Sequence, residues 1–511
     1  MREYIVSVDN PEVWDTLWPE LTTNGLGDNF VPQRAIEVLN ERPFNDFCAH
    51  FNLTDEEAEE LKNDPRIKFV ELQADLRTGV FKEHTGKRTS TFDKSYTINN
   101  TMKNWGLLRC TTTNNPFAST SQVTGNFTYN LTGKGVDIIV VDSGVEPGHP
   151  EFAVNADGTG GTRVVDFNWA SLNVPGTPTS AQIGGYLGDG DGHGSNCASI
   201  AAGNTCGWAP DATIYSLRIF AGYSIRTGQY LGAVSSDICF DIVRAFHLKK
   251  LAEGNTRPTI CTNSWGYRAS YWSMTYVHYQ GNDYPLSSYW SGAQYGMVNS
   301  THPYSQVEYL NQSATNCANA GVILVGAAGN YWHKIDVPGG PDYDNYYAYG
   351  LSSPTYYHRG SSPTMAPGFI NVGALDNNLG NEQKVYFSES GPRVDIYSPG
   401  VMIMGAYANK PYQTSAVPDP RNPQYYLNKI SGTSQATPQV TGVLATALEA
   451  NPKMTPAEAK GFLTFHSVKD SLTFTGTNTY ANYNSIQYGK NRILKTPYVA
   501  ETRGRIGPET P

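Results

Sequence analysis

The apolar residues of this chain fall into two kinds of pattern, continuous runs and helical repeats. Val136-Asp137-Ile138-Ile139-Val140-Val141 is too apolar to alternate, which predicts a strand buried on both faces. It ends at Asp142-Ser143-Gly144-Val145. After Ser434, the residues Val440, Val443, Leu444 and Ala447 recur at helical spacing and predict a helix. Near the start, Tyr4-Ile5-Val6-Ser7-Val8 alternates like a short strand. Asn52 to Leu61 reads as a capped helix with Asp55, Glu56 and Glu57 in its first turn. Pro65 to Leu72 reads as a further strand, and the polar stretch from Thr78 to Ser95 as an exposed linker.

Three of these places carry reactive side chains. Ser434 lies in Ile430-Ser431-Gly432-Thr433-Ser434-Gln435-Ala436-Thr437-Pro438, at the mouth of the predicted helix. There the helix dipole favours a developing negative charge. Gly432 would let the backbone turn tightly, and Thr433 would cap the first N–H groups of the helix. Asp142 stands at the carboxyl end of the predicted strand, where open α/β sheets build their sites. His193 sits between glycines in Asp191-Gly192-His193-Gly194-Ser195-Asn196-Cys197-Ala198, opening a run of small residues. Singly these read as a capped helix, a strand-end turn and a loop histidine. Together, in the order Asp, His, Ser, they read as a nucleophile, its base and the base's partner.

With those residues in place the chain resembles the subtilisin-like serine proteases, closest to the proteinase K branch, over roughly residues 100 to 470. Other segments carry the likeness further. Asn263-Ser264-Trp265-Gly266 resembles the substrate-binding strand. Gly321 to Asn330 resembles the strand ending in the oxyanion asparagine. Phe387-Ser388-Glu389-Ser390-Gly391-Pro392 and the residues up to Gly400 resemble another family block, and Trp105-Gly106-Leu107-Leu108-Arg109 the start of many mature catalytic domains. The resemblance implies an α/β chain: a three-layer fold with a mainly parallel central sheet, preceded by a small α+β propeptide domain. It implies the following organisation: residues 1–77 as inhibitor and folding aid, 78–99 as the linker in which the chain cuts itself, and 100–474 as the catalytic domain. Residues 475–511 match no part of that core and form a C-terminal extension.

It also implies roles. Ser434 would attack the scissile carbonyl, His193 would take and return the proton, and Asp142 would hold the imidazole. Asn330 and the Ser434 N–H would hold the oxyanion; loss of one such donor costs roughly 100- to 1000-fold in kcat, a figure that comes from subtilisin itself. Ser264, Trp265 and Gly266 would pair with an extended peptide, and Ala327, Ala328 and Gly329 would border the primary pocket. No cofactor is implied for the chemistry. Structural calcium is common in the family, yet no acidic loop stands out as its site. Three places depart from the family pattern: Ser195-Asn196, where a second histidine is usual two or three residues after the first, Gln435 where methionine is, and Gln439 where histidine is. Cys197 matches the free thiol beneath the histidine in the proteinase K branch, and equally reads as a small buried residue.

Composition narrows the partners. At 511 residues the chain suits a large α/β domain plus a small one. A formal charge of −9 and no long basic run exclude a nucleic-acid partner, and no apolar stretch is long enough to span a bilayer. The expected partners are a polypeptide substrate and the chain's own N-terminal segment. Met1 to Asp9 lacks the apolar core of a secretory signal, which points to cytoplasmic synthesis. The Tyr-, Asn- and Thr-rich texture resembles structural proteins of tailed bacteriophages and suggests virion association or release at lysis. Seven cysteines, an odd number, show no disulfide framework. Aromatics cluster in two expected insertions, 267–306 and 331–359, either as a rim that selects substrate or as small cores of their own. The alternative to an active protease is a protease-fold binding or structural module whose N-terminal domain never leaves the cleft.

Overall fold

The computed structural model describes residues 1–27, 30–40, 48–72, 95–97, 104–116, 124–127, 129–224, 226–267, 275–285, 295–296, 306–348, 354–377, 380–408, 416–476 and 483–498. The chain divides into two compact units, Met1–Glu83 and His84–Pro511.

In the first unit, β1 (Arg2–Val8), β2 (Val38–Asn40), β3 (Cys48–Leu53) and β4 (Ile67–Leu72) form an antiparallel sheet in the order β2-β3-β1-β4. Val6 and Val8 of β1 alternate inward, as the sequence pattern requires, against Leu17 and Leu21 of α1 (Trp14–Thr22) and Ala58 and Leu61 of α2 (Asp55–Leu61). The cap of α2 is reciprocal: Thr54 Oγ1 accepts the Glu57 N–H and Glu57 accepts the Thr54 N–H. The strands and helix expected in this unit are present; α1, β2 and β3 were not expected. The linker 78–99, apart from Ser95–Thr97, lies outside the described residues.

The second unit is built on nine strands. They are β5 (Asp137–Asp142), β6 (Val164–Val165), β7 (Thr213–Arg218), β8 (Thr259–Asn263), β9 (Ile323–Ala327), β10 (Phe369–Leu375), β11 (Ile396–Pro399), β12 (Val468–Lys469) and β13 (Arg492–Ile493). Their order is β12-β13-β11-β10-β9-β8-β5-β7-β6, parallel throughout except for the outermost pair β12 and β13. The apolar run of β5 is explained by its place in the interior of this sheet. Ile138 and Val140 point to one core with Ala198 and Ala201 of α3 (His193–Ala202) and Val440 and Val443 of α6 (Thr433–Ala450). Ile139 and Val141 point to the other, with Phe240 and Val243 of α4 (Cys239–Ala252) and Leu310 and Ala314 of α5 (Glu308–Asn319). Both faces are covered, which gives the three layers of an α/β fold.

The two aromatic segments meet in one small antiparallel sheet: Asn282–Pro285, Tyr276–Tyr279, Tyr346–Ala348 and Thr355–Tyr356. Val277, Tyr347 and Tyr357 are buried on one face with Tyr284 and Tyr295 against them, a core of their own. On the other face Tyr276, Tyr346 and Tyr356 contact one another in sequence, and Arg359 lies 3.4 Å over the Tyr356 ring. Residues 268–274, 286–294, 297–305 and 349–353 of these segments, and 499–511 of the C-terminal extension, lie outside the described residues. No described helix is long and apolar enough to cross a membrane.

Candidate active site

Asp142 ends β5 and is buried, with its Oδ1 accepting the Ser143 N–H at 2.7 Å. The same oxygen lies 2.8 Å from Nδ1 of His193, the first residue of α3. Glycines flank His193 for steric reasons. Gly192 takes φ 107°, and a side chain on Gly194 would collide with the Gly144 carbonyl behind Asp142. The imidazole keeps 30% of its surface exposed, so a substrate can reach it. Burial lowers its pKa, but the Asp142 carboxylate outweighs that and leaves it well above the ordinary imidazole value.

A residue missed in the sequence organises this turn. Asp189 is fully buried and accepts the N–H groups of Asp191 (3.0 Å), Gly192 (2.8 Å) and Ser195 (2.8 Å). It also accepts the Ser143 hydroxyl at 2.9 Å, and Ser143 Oγ in turn accepts the Gly194 N–H. The end of β5 and the start of α3 are thereby tied to one carboxylate. The signal available was the acid-glycine run Asp189-Gly190-Asp191-Gly192, which reads as an ordinary turn.

Ser434 is the second residue of α6 and is 8% exposed. Its hydroxyl donates to the Ser264 carbonyl at 3.2 Å. Its own carbonyl accepts from Ser264 Oγ at 3.0 Å and from Cys197 Sγ at 3.4 Å. Pro438 explains why that carbonyl is available: proline has no N–H, so the helical bond from residue 438 back to Ser434 cannot form. Two expectations at this helix start are corrected. Gly432 is extended, with φ 166°, so no tight turn demands glycine; a side chain there would collide with Gln435 Oε1. Thr433 is not the cap but the first helical residue, and its N–H and hydroxyl both donate to Asn330 Oδ1 at 2.9 Å. With Oδ1 so held, the orientation of the exposed Asn330 amide is set.

The expected substrate-binding residues leave the carboxyl ends of neighbouring strands. Ser264, Trp265 and Gly266 follow β8, and Ala328 and Gly329 follow Ala327 at the end of β9. Trp265 stacks on Phe240, while Gly266 is exposed and abuts Ser361. Gly329 takes φ 120° and donates its N–H to Thr433 Oγ1 at 3.2 Å.

The departures have polar partners, although the buried Asn196 Nδ2 donates to none. Gln435 donates to Asn196 at 3.2 Å, so two of them pair with each other. Gln439 and Asn104 exchange two amide hydrogen bonds (2.9 and 3.0 Å), and Trp208 Nε1 donates to the same Gln439 at 2.6 Å. Cys197 is both things expected of it: buried, and 3.9 Å from His193 Nδ1. Burial raises its pKa, which keeps it a thiol. The six cysteines with described side chains are all buried and free.

Among the described residues, Asp142, His193 and Cys197 form the one group with metal-ligand spacing, their donor atoms within 4.8 Å of one another. A metal there would have to displace the Asp142–His193 hydrogen bond. Elsewhere several buried carboxylates already carry cations. Asp395 holds Arg393 (3.0 Å), Lys460 (2.9 Å) and Lys490 (2.7 Å), Glu151 and Asp419 share Arg421, and Asp137 holds Lys250 and Arg257. These clusters do not fit calcium.

The model of the subtilase family matches residues 133–487. The chain belongs to the subtilase family. Its relatives include the cuticle-degrading protease of Metarhizium anisopliae, 25% identical over 88% of this chain and 82% of that one. The extracellular serine proteinase of a Thermus species is 24% identical over 87% of this chain and 74% of the other. A solved cold-adapted subtilisin-like serine proteinase aligns with 78% of this subtilase and 99% of its own chain, at 20% identity and a TM-score of 0.47. As a subtilase the protein is a serine endopeptidase that acts on polypeptides and needs no cofactor for its chemistry.

Proposed function

We propose that this subtilase cleaves peptide bonds through Ser434, His193 and Asp142, and that it is made as a zymogen cut between its two units. The Asp142–His193 hydrogen bond of 2.8 Å, beside a serine at the start of a helix, is the observation that carries the reading. Rotation of the Ser434 hydroxyl away from the Ser264 carbonyl would bring Oγ to His193 Nε2. The imidazole would accept the proton as Oγ attacks the scissile carbon. Asp142 would stabilise the imidazolium and keep Nδ1 as the donor to itself. The Ser434 N–H and Asn330 Nδ2 would hold the oxyanion, after which His193 returns its proton to the leaving amine and water repeats the cycle on the acyl-enzyme. Backbone pairing along Ser264–Gly266 would bind extended peptide, with Ala327–Gly329 beside the primary pocket.

Residues 1–77 are read as the inhibitory propeptide, supported by their own compact α+β core. Virion association is a proposal about location alone, and absence from purified particles by mass spectrometry would remove it. The deciding experiment is intact mass spectrometry of wild type beside Ser434→Ala. A wild type cut within 78–99 and an uncut variant support the whole reading. Two uncut chains favour a module whose cleft stays blocked. Two equally cut chains assign the cut to another protease and leave self-processing without support.

A further inference from the structure

The block Phe387-Ser388-Glu389-Ser390 has no role in the reaction as described, yet it runs along the chain that leaves Asn330. Glu389 N–H donates to the Gly329 carbonyl (3.0 Å), Trp332 N–H to the Phe387 carbonyl (3.1 Å), and Ser390 N–H to the His333 carbonyl (3.2 Å). One side chain joins this ladder. Glu389 is fully buried, and its Oε1 accepts the Tyr331 N–H at 3.0 Å. Asn330 is therefore gripped on both sides: Gly329 is bonded to Glu389 and Thr433, and Tyr331 to the Glu389 carboxyl. The turn needs holding, because Trp332 sits at φ 66°, a region unfavourable to a bulky side chain.

The block is clamped from behind. Lys384 is buried, and its ammonium donates to the carbonyls of Val385 (3.1 Å), Ser388 (2.7 Å) and Tyr483 (2.7 Å). Tyr483 stacks on Trp332 at 5.2 Å, Asn484 donates to the Lys384 carbonyl, and Gln487 donates to Ser390 Oγ. Residues 483–487 thus close over the back of the turn that carries Asn330. Burial raises the Glu389 pKa well above the ordinary carboxylate value.

We propose that Glu389 is the positioning residue of the oxyanion hole: its buried carboxyl holds the Tyr331 main chain so that the Asn330 amide points at the reacting carbonyl. This rests on the reading of Asn330 as an oxyanion donor. The test uses processed enzyme, a peptide p-nitroanilide substrate, and titration with a serine-directed covalent inhibitor to count active sites. Glu389→Met keeps the volume and removes the acceptor; Glu389→Gln keeps a neutral acceptor of the same shape. Loss of an oxyanion donor costs roughly 100- to 1000-fold, so Glu389→Met is expected to lower kcat per active site about 10- to 100-fold with KM unchanged. Glu389→Gln should recover most of that. In an Asn330→Ala background, Glu389→Met should cost less than about threefold more, because the two residues act on one donor.

Equal kcat losses in both backgrounds, with Asn330→Ala itself strongly impaired, would overturn the Glu389 role and leave the oxyanion reading standing. An Asn330→Ala enzyme with normal kcat would overturn both. A Glu389→Gln enzyme that loses tenfold or more in kcat per active site would also overturn the proposal, and this outcome can be read even if the Met variant folds poorly.

Discussion

The two flanks of Ser434 are held by different means. On the His193 flank, Asp189 gathers N–H groups from residues two to six positions ahead of it, with the Ser143 hydroxyl and the Asp142 carboxylate reaching in from the end of β5. On the Asn330 flank, the bonds through Glu389, Lys384 and Thr433 include partners 58 to 104 positions apart. The first flank needs one turn and the strand end beside it. The second needs β9, α6, the 384–390 block and residues 483–487 all in place. A mostly local device is carried largely by a short motif, whereas a distributed one exists only in the finished fold.

Substitutions on each flank should separate these two designs. The largest effect belongs to Asp142→Asn, which removes the charge that orients His193 and should lower kcat about 10,000-fold, a magnitude typical of triad enzymes. The same variant tests the pH dependence. In wild type the imidazole must lose its proton before it can act as base, and its pKa is raised by Asp142. The acidic limb of kcat/KM should therefore lie above about pH 6.5, the ordinary imidazole value, and fall back toward it in Asp142→Asn. Folding shows the opposite sign. The raised pKa stabilises the fold fully below about pH 6.5, and that contribution fades as pH rises through the folded-state value.

Next in size is Asp189→Asn, which keeps the shape but replaces one acceptor oxygen by a donor facing N–H groups. A buried N–H left without its partner costs about 1–3 kcal/mol, so the midpoint of chemical denaturation should drop. Activity should fall with it, because Gly192 and Ser195 frame His193; unchanged kcat would make Asp189 a purely structural residue. The smallest effect is expected away from both flanks. Gln439→Leu breaks the amide pair with Asn104 and strands Trp208 Nε1, for about 2 kcal/mol of stability. Its kcat should match wild type, and a kcat loss would show that this network reaches the nucleophile.

The same contrast explains what was legible in the sequence. Asp142, His193, Ser434 and Asn330 each sit at the end of a strand or the start of a helix whose apolar pattern is distinct, so their places could be read. Asp189 was hidden because an acid-glycine turn looks alike whether or not it supports a site. Propensity favours threonine as a cap, but Thr433 lies one residue inside the helix, and its Oγ1, the atom a cap would offer, accepts the Gly329 N–H from 104 residues away. The Gln435–Asn196 and Gln439–Asn104 pairs show as isolated departures in one dimension and as matched partners in three. The aromatic segments followed suit: the pattern revealed two rich stretches, and only the fold joined them into one sheet with a core on one side and a ladder of rings on the other. In the N-terminal unit β2 is too short to show a period, and the end of β3 is obscured because Asn52 and Leu53 run directly into the capped helix pattern.

Pro438 has a consequence for the order of events in the life of the chain. Pro438 is the sixth residue of α6, so the first turn closes, with the Ala436 N–H donating to the Gly432 carbonyl, while the Ser434 carbonyl gets no helical partner. The Ser434 carbonyl waits for Ser264 from one strand end and Cys197 from another helix. A half-assembled chain would leave that carbonyl without these partners. On the proposed reading of Ser434 as the nucleophile, competence would arrive only with the finished fold, which would limit the cutting of sibling chains during assembly.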